Sequence, residues 1–396
     1  CVNFFKERIL YISKNIESLR YSVIREMSQV AARYEDVISL GIGEPDFHTP
    51  PPIIEKAFED ARNGHTHYTH AKGDPELIEK LSVSLSKDLG KTVPPECIIV
   101  THGAMNGLAN AFRTLMDPGD EIIVIEPHFP DYLAHITLAH AVPKYVPSGF
   151  DKGFLPDPAD IEAAITSKTK IILINSPNNP TGTVVPKSLL EDISAIAKAH
   201  DICVVSDEVY DRISFEGRAA SIYNCPGMEN HSLVINSFSK TYAMTGWRVG
   251  FAYGPQPVID QMVKVGNYAM ACASSVSQRA AIAALDTPDE VIKEMSDTFE
   301  RRVELVCSRL ETMPGVRVCR PKGSFYVFAD ISSITNQSRQ FALDLIKEEK
   351  VVVVPGYPFG LSCEGCIRIA CTINREQLCE AMDRLERFLN ARSHCL

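Results

Sequence analysis

The segment SFSKTYAMTGWRVG places Lys240 between the hydroxyl of Ser237 and the guanidinium of Arg248. A hydroxyl and a bidentate cation are the partners a phosphate monoester dianion needs. A lysine held near such a phosphate, but not consumed by pairing with it, is placed to form an imine with an aldehyde group on the same molecule. Taken alone, the S-x-x-K spacing fits a solvated surface lysine better. The choice depends on what else the chain brings to that lysine.

Short runs rich in Val and Ile recur along the chain: CIIVT (97–101), EIIVIE (121–126), KIILIN (170–175), ICVVSD (202–207), LVINS (233–237) and VGFAY (249–253). Most are separated by stretches such as SLLEDISAIAKAH, whose apolar residues recur at helical spacing. Strands buried on both faces read this way, so the pattern predicts an α/β fold, a mostly parallel central sheet with helices on both faces. Beyond about residue 280 a long charged helical stretch leads to FYVFAD, VVVV and IRIA, which predicts a smaller α+β domain. The expected division is an N-terminal segment 1–48 joining the small domain, a large domain 49–280 and a small domain 281–396. In open α/β sheets ligands sit beyond the carboxyl ends of the strands. The residues that follow those ends should therefore share one crevice: Thr101 to Met105, Glu126 to Tyr132, Asn175 to Gly182, Asp207 to Tyr210 and Ser237 to Lys240.

Composition limits the partners. The net charge of −10, with no clustered run of Lys and Arg, argues against nucleic acid. No uninterrupted apolar stretch of about 18 residues occurs, so no membrane partner is expected. The opening residues CVNFFKERILYISKN resemble an amphipathic helix more than a signal peptide. The 12 cysteines lack framework spacing and suit reduced thiols in a cytoplasmic enzyme. The pair Cys363 and Cys366 lacks the second pair a structural zinc site wants, and His65, His67 and His70 lack complementary ligands, so no metal is expected.

The quoted segment resembles the pyridoxal-phosphate attachment segment of the class I, fold type I aminotransferases. LGIGEPDFHTP (40–50), YTHAKGDPEL (68–77), DPGDEIIVIEPHFPDY (117–132), NSPNNPTG (175–182), SDEVYD (206–211), GSFYVF (323–328), VVVVPG (351–356) and the IRIA arginine stand in the same order as in that family. The resemblance covers most of the chain and implies pyridoxal 5'-phosphate as cofactor. It implies that Lys240 carries the imine and that Asp207 pairs with the ring nitrogen and keeps it protonated. Tyr210 and Asn179 would donate to the ring's phenolic oxygen, Phe129 would stack on the ring, and Val209 would pack on its other face. The phosphate would be met by Ser237, Arg248 and the backbone N–H groups of Ala104 and Met105. Tyr68 would reach it from a partner subunit, which implies a homodimer with composite sites. Arg368, with Asn179 and the backbone around Gly43, would hold the substrate's α-carboxylate. By residue type alone, Asp207 equally caps a helix, Arg368 pairs with a surface acid, and Phe129 and Val209 are ordinary core residues.

The implied activity is transfer of an amino group from an α-amino acid to a 2-oxo acid by a ping-pong mechanism. A carbon-sulfur β-lyase of the same fold is the alternative, since the motifs do not decide the fate of the carbanion. A non-catalytic pyridoxal-phosphate-sensing module is less favoured, because the chain is acidic and shows no DNA-binding segment ahead of the domain. Met105 stands where aspartate-using members of the closest subgroup often carry a lysine, which points to a neutral or aromatic amino acid as donor.

Overall fold

The computed structural model describes residues 12–19 and 21–393. Most of the expected N-terminal amphipathic stretch lies outside the described residues; its last residues lead into the one-turn helix Lys14–Glu17. A seven-stranded sheet forms the centre, in the spatial order Ile98–Thr101, Gly250–Tyr253, Ser232–Ser237, Cys203–Asp207, Thr169–Asn175, Glu121–Glu126, Val142–Pro147. Every pairing is parallel except those of Gly250–Tyr253, which runs against both neighbours.

Alternation explains why these runs are strands. Ile172, Val204 and Val234 pack into one apolar cluster, while Ile171, Leu173, Val205, Leu233 and Ile235 pack into another on the opposite face. Successive side chains of a strand point to opposite faces, so a continuous apolar run feeds both cores at once. Burying each such Ile or Val contributes roughly 1.5–3 kcal/mol. The strand Val142–Pro147 was not expected from its sequence, VPKYVP. It is an edge strand with most residues exposed or half-buried, so it needs no apolar run and tolerates its prolines.

A second core joins the four-stranded antiparallel sheet Val354–Pro355, Cys366–Ala370, Tyr326–Asp330, Arg317–Val318 to helices Asp289–Leu310, Ser338–Glu349 and Arg375–Ser393. Met27, Ala31, Ile38 and Leu40 of the N-terminal segment belong to this core, and Ile38–Ser39 pairs in parallel with Val351–Val352. Helix Asp289–Leu310 bridges the two cores, with Ile292 in the first and Val303, Val306 and Leu310 in the second. Among the described residues no helix is long and apolar enough to cross a membrane.

Register sets the site. Asn175 lies opposite Asp207, and Gly250 lies between Ser237 and Thr101. The ends of four strands therefore come together along one edge of the sheet, facing the second core.

Candidate active site

A cavity of about 230 Å³ opens at that edge. Lys240, Asp207, Tyr210, Asn179, Ser237, Arg248 and Arg368 all line it, as do Gly43, Ala104, Met105, Phe129 and Val209. Of the residues expected from the sequence, only Tyr68 lies elsewhere, on the surface and 90% exposed. His65, His67 and His70 sit on the same exposed loop, and no group of three or more metal-ligating side chains occurs among the described residues.

Lys240 stands on the one-turn helix Phe238–Thr241, directly after the strand Ser232–Ser237. Ser237 caps that turn, its hydroxyl accepting from the Ser239 N–H at 3.1 Å. The Lys240 amine donates to the Gly43 carbonyl at 2.7 Å. Burial is the main influence on this amine, opposed by Glu44 and joined by Arg368 and Arg248, and it lowers the pKa to about 8. Near neutral pH the amine is still mostly protonated, but its unprotonated, nucleophilic form is far more populated than that of an ordinary lysine.

Asp207 ends its strand 5% exposed. Burial raises its pKa to about 6, against the opposing effects of the Tyr132 hydroxyl, the Val209 N–H and the Lys240 charge. Tyr132 donates to the carboxylate at 2.6 Å, and the Asn175 side-chain amide donates to the Asp207 carbonyl at 2.9 Å. Asn175 also accepts from the Asn179 N–H at 2.8 Å. Tyr210 and Tyr326 share a hydrogen bond of 3.2 Å between their hydroxyls. Phe129 packs edge-on against Tyr132 with ring centroids 5.5 Å apart.

An anion cradle lies beside the lysine. Helix Gly103–Leu115 begins at the cavity, and His102 supplies no side-chain cap. Its first N–H groups, including those of Ala104 and Met105, are left for an outside acceptor. Gly107 allows this helix to lie close on the sheet, since a Cβ there would sit 3.1 Å from Ile235 Cγ2. Gly103 is required more strictly. It has φ +75°, and a Cβ there would be 2.7 Å from the Arg248 guanidinium. Arg248 itself holds φ 51° and donates to the Thr245 carbonyl at 2.7 Å. The Ser237 and Ser239 hydroxyls, 2.8 Å apart, complete the donor set.

Arg368 is 1% exposed on the strand Cys366–Ala370. Its Nη1 donates to Asn179 Oδ1 at 3.0 Å and its Nη2 to the Gly41 carbonyl at 2.6 Å. Tyr326 and Phe359 cover the guanidinium, with ring centroids 4.5 and 5.3 Å away. Its Nε–H has no partner among the described residues. A buried cation whose hydrogen bonds go only to neutral groups, with a donor left over, can receive a carboxylate.

Tyr132, Asn175 and Ser239 lie in stretches expected to share the crevice, and the cavity does include them, but sequence reasoning gave them no role, and it missed Tyr326. Tyr132 and Asn175 stand in stretches that follow strand ends, but nothing local showed that both would turn onto Asp207. Tyr326 comes from the four-stranded sheet, and its pairing with Tyr210 joins residues 116 positions apart in sequence.

Together the cavity offers a nucleophilic amine, an anion cradle, a buried carboxylate and a buried carboxylate receptor. The family model for aminotransferase class I and II matches residues 35–385. The chain belongs to that family. This aminotransferase is 39% identical to an aspartate aminotransferase of Pyrococcus horikoshii, over 97% of the chain and 98% of that protein. It is 38% identical to aromatic-amino-acid aminotransferase 2 of Thermococcus litoralis, over 96% of the chain and 98% of that protein. A solved structure of the Thermus thermophilus aspartate aminotransferase with maleate superposes on this aminotransferase with a TM-score of 0.92 at 34% identity, covering 96% of this chain and all of that one.

Proposed function

We propose that this aminotransferase works with pyridoxal 5'-phosphate and passes the amino group of an α-amino acid to a 2-oxo acid in two half-reactions. One observation carries this proposal: the Lys240 amine, with its pKa lowered to about 8, shares a cavity with the buried carboxylate of Asp207 and the incompletely bonded Arg368. The donor set fits the cofactor. The open end of helix Gly103–Leu115, with Arg248, Ser237 and Ser239, would take the phosphate; Asp207 would face the ring nitrogen, between Phe129 and Val209; Tyr210 and Asn179 would serve the phenolic oxygen. When bound, the protonated ring supplies an electron sink for negative charge at the substrate's Cα.

The chain's own residues do the rest. Arg368 holds the α-carboxylate through its free donors, and Asn179, which already bonds Nη1, keeps the guanidinium in plane. Lys240 Nζ would hold the cofactor's aldehyde group at rest and, once free, would accept the proton from the substrate's Cα and carry it as the ammonium. Its lowered pKa suits both roles near neutral pH. Tyr132 bonds one Asp207 oxygen, while the other accepts, among the described residues, only the Val209 N–H at 3.3 Å and would keep a lone pair for the ring. Tyr68 would reach the phosphate of a partner subunit, consistent with its exposure. We also propose that residues 49–280 form the cofactor-holding domain, with the N-terminal segment 1–48 joined to 281–396.

Reconstitution followed by borohydride reduction tests the anchor. The wild-type chain is expected to gain the mass of one reduced cofactor on the peptide containing Lys240, and Lys240→Ala to gain none there. Label on a different lysine in the wild type would overturn the assignment.

A further inference from the structure

Tyr326 touches three parts of the site at once, and the function proposed above gives it no task. It stands on the strand Tyr326–Asp330, opposite Ala370, while Arg368 on the neighbouring strand lies opposite Phe328. Alternate residues of a strand share a face, so Tyr326 and Arg368 are diagonal neighbours on one side of the antiparallel pair, within reach of an aromatic ring. The ring does reach, with its centroid 4.5 Å from the guanidinium carbon of Arg368. The hydroxyl extends further into the site. It lies 3.2 Å from the Tyr210 hydroxyl and packs so closely on Gly43 that a Cβ there would overlap it. Gly43 is also the residue whose carbonyl accepts from Lys240.

The direction of the bond between the two hydroxyls follows from what Tyr210 must do. A phenol hydroxyl carries one proton and two lone pairs, and in this pair either oxygen can be the donor. Once Tyr210 gives its proton to an anionic oxygen in the cavity, only its lone pairs remain for Tyr326, so the Tyr326 hydroxyl becomes the donor. Hydroxyls bonded in series polarise one another, and the far one strengthens the donation of the near one. Burial pushes both hydroxyls above the ordinary tyrosine range, so each keeps its proton near neutral pH. One side chain of the four-stranded sheet thus braces both the cation for the α-carboxylate and a donor to the cofactor's ring.

Resting on the function proposed above, we propose that Tyr326 is a positioning residue with two separable tasks: its hydroxyl donates to Tyr210 and strengthens that residue's bond to the cofactor's phenolic oxygen, and its ring holds the Arg368 guanidinium in place for the α-carboxylate. The test uses cofactor-loaded protein and two readings of the cofactor's absorbance: the midpoint of its change with pH, and the dissociation constant of 2-methylalanine, an amino acid with no Cα proton to lose. Tyr326→Phe keeps the ring and removes the hydroxyl. Weaker donation to the phenolic oxygen favours the protonated form, so the midpoint should rise by about half a pH unit. Tyr326→Leu, compared with Tyr326→Phe, removes the ring alone. Between these two variants the dissociation constant of 2-methylalanine should rise about fivefold, with the midpoint where Tyr326→Phe left it. An unmoved midpoint in Tyr326→Phe overturns the proposal whatever Tyr326→Leu does. Equal dissociation constants in the two variants, or a midpoint that moves again in Tyr326→Leu, overturn the task given to the ring. A wild type whose absorbance answers neither pH nor 2-methylalanine overturns the aminotransferase site itself, a failure distinct from either of these.

Discussion

Asp207 is a carboxylate held where burial penalises its charge. Its pKa stands at about 6 in the folded chain against 3.8 for the free side chain. The folded state therefore binds this proton more tightly than the unfolded state, and ionisation costs stability as pH rises from 3.8 to about 6. Above that window the full cost, at most about 3 kcal/mol, is present; below it the cost is gone. In cofactor-free protein, Asp207→Asn should raise the urea midpoint above pH 6 and lose that advantage as pH falls towards 3.8, with Tyr132 still able to donate to the new amide oxygen. The same variant should lower kcat with cofactor bound by about a hundredfold or more, since a neutral amide cannot hold the ring nitrogen protonated. Equal stability of variant and wild type above pH 6 would refute the account of a strained, functional carboxylate. Arg368 shows the same economy: a buried guanidinium left with an unpaired donor is useful only when an anion arrives.

At the scale of single elements, the helix Gly103–Leu115 does the most with the least sequence. Its N-terminus, the positive φ of Gly103 and the Arg248 guanidinium beside it form one unit. Gly103→Ala should strain the backbone by roughly 1–2 kcal/mol and push Arg248 from the cradle. The diagnostic is the ratio of affinities for pyridoxal 5'-phosphate and unphosphorylated pyridoxal, which should shrink by about tenfold or more because the loss falls on the phosphate. A ratio that does not move would separate this helix from phosphate binding. The strands of this sheet were legible because Ile172, Val204 and Val234 alternate faces with Ile171, Val205 and Leu233 inside continuous apolar runs. Val142–Pro147 was not, since an exposed edge strand writes no such pattern. The antiparallel direction of Gly250–Tyr253 was equally hidden, because a buried strand carries no sign of its sense. Lys240, Asp207 and Arg368 were legible through motifs that extend along most of the chain. The Tyr132 bond to Asp207 and the Tyr210–Tyr326 pair were not, because each joins residues far apart in sequence whose meeting depends on the finished fold.

The whole molecule poses the last question: whether one chain makes a complete site. Tyr68 is 90% exposed on a loop outside the cavity, while the motif that carries it matches a residue expected to serve the phosphate. The two facts agree if the tyrosine is delivered to a second copy, with the symmetric contact returning the favour. This arrangement makes a prediction that a self-contained site does not. Lys240→Ala lacks the amine but keeps Tyr68, and Tyr68→Ala lacks the hydroxyl but keeps Lys240. When the two variants are unfolded together and refolded as a mixture, mixed dimers contain one site with both residues intact. About a quarter of all sites should then regain wild-type cofactor affinity and turnover, if chains pair at random. Mixing without subunit exchange should give no gain, which separates pairing from additive residual activity. If Tyr68 acted within its own chain, no mixture could restore a complete site, and the refolded sample would show only the average of its two components.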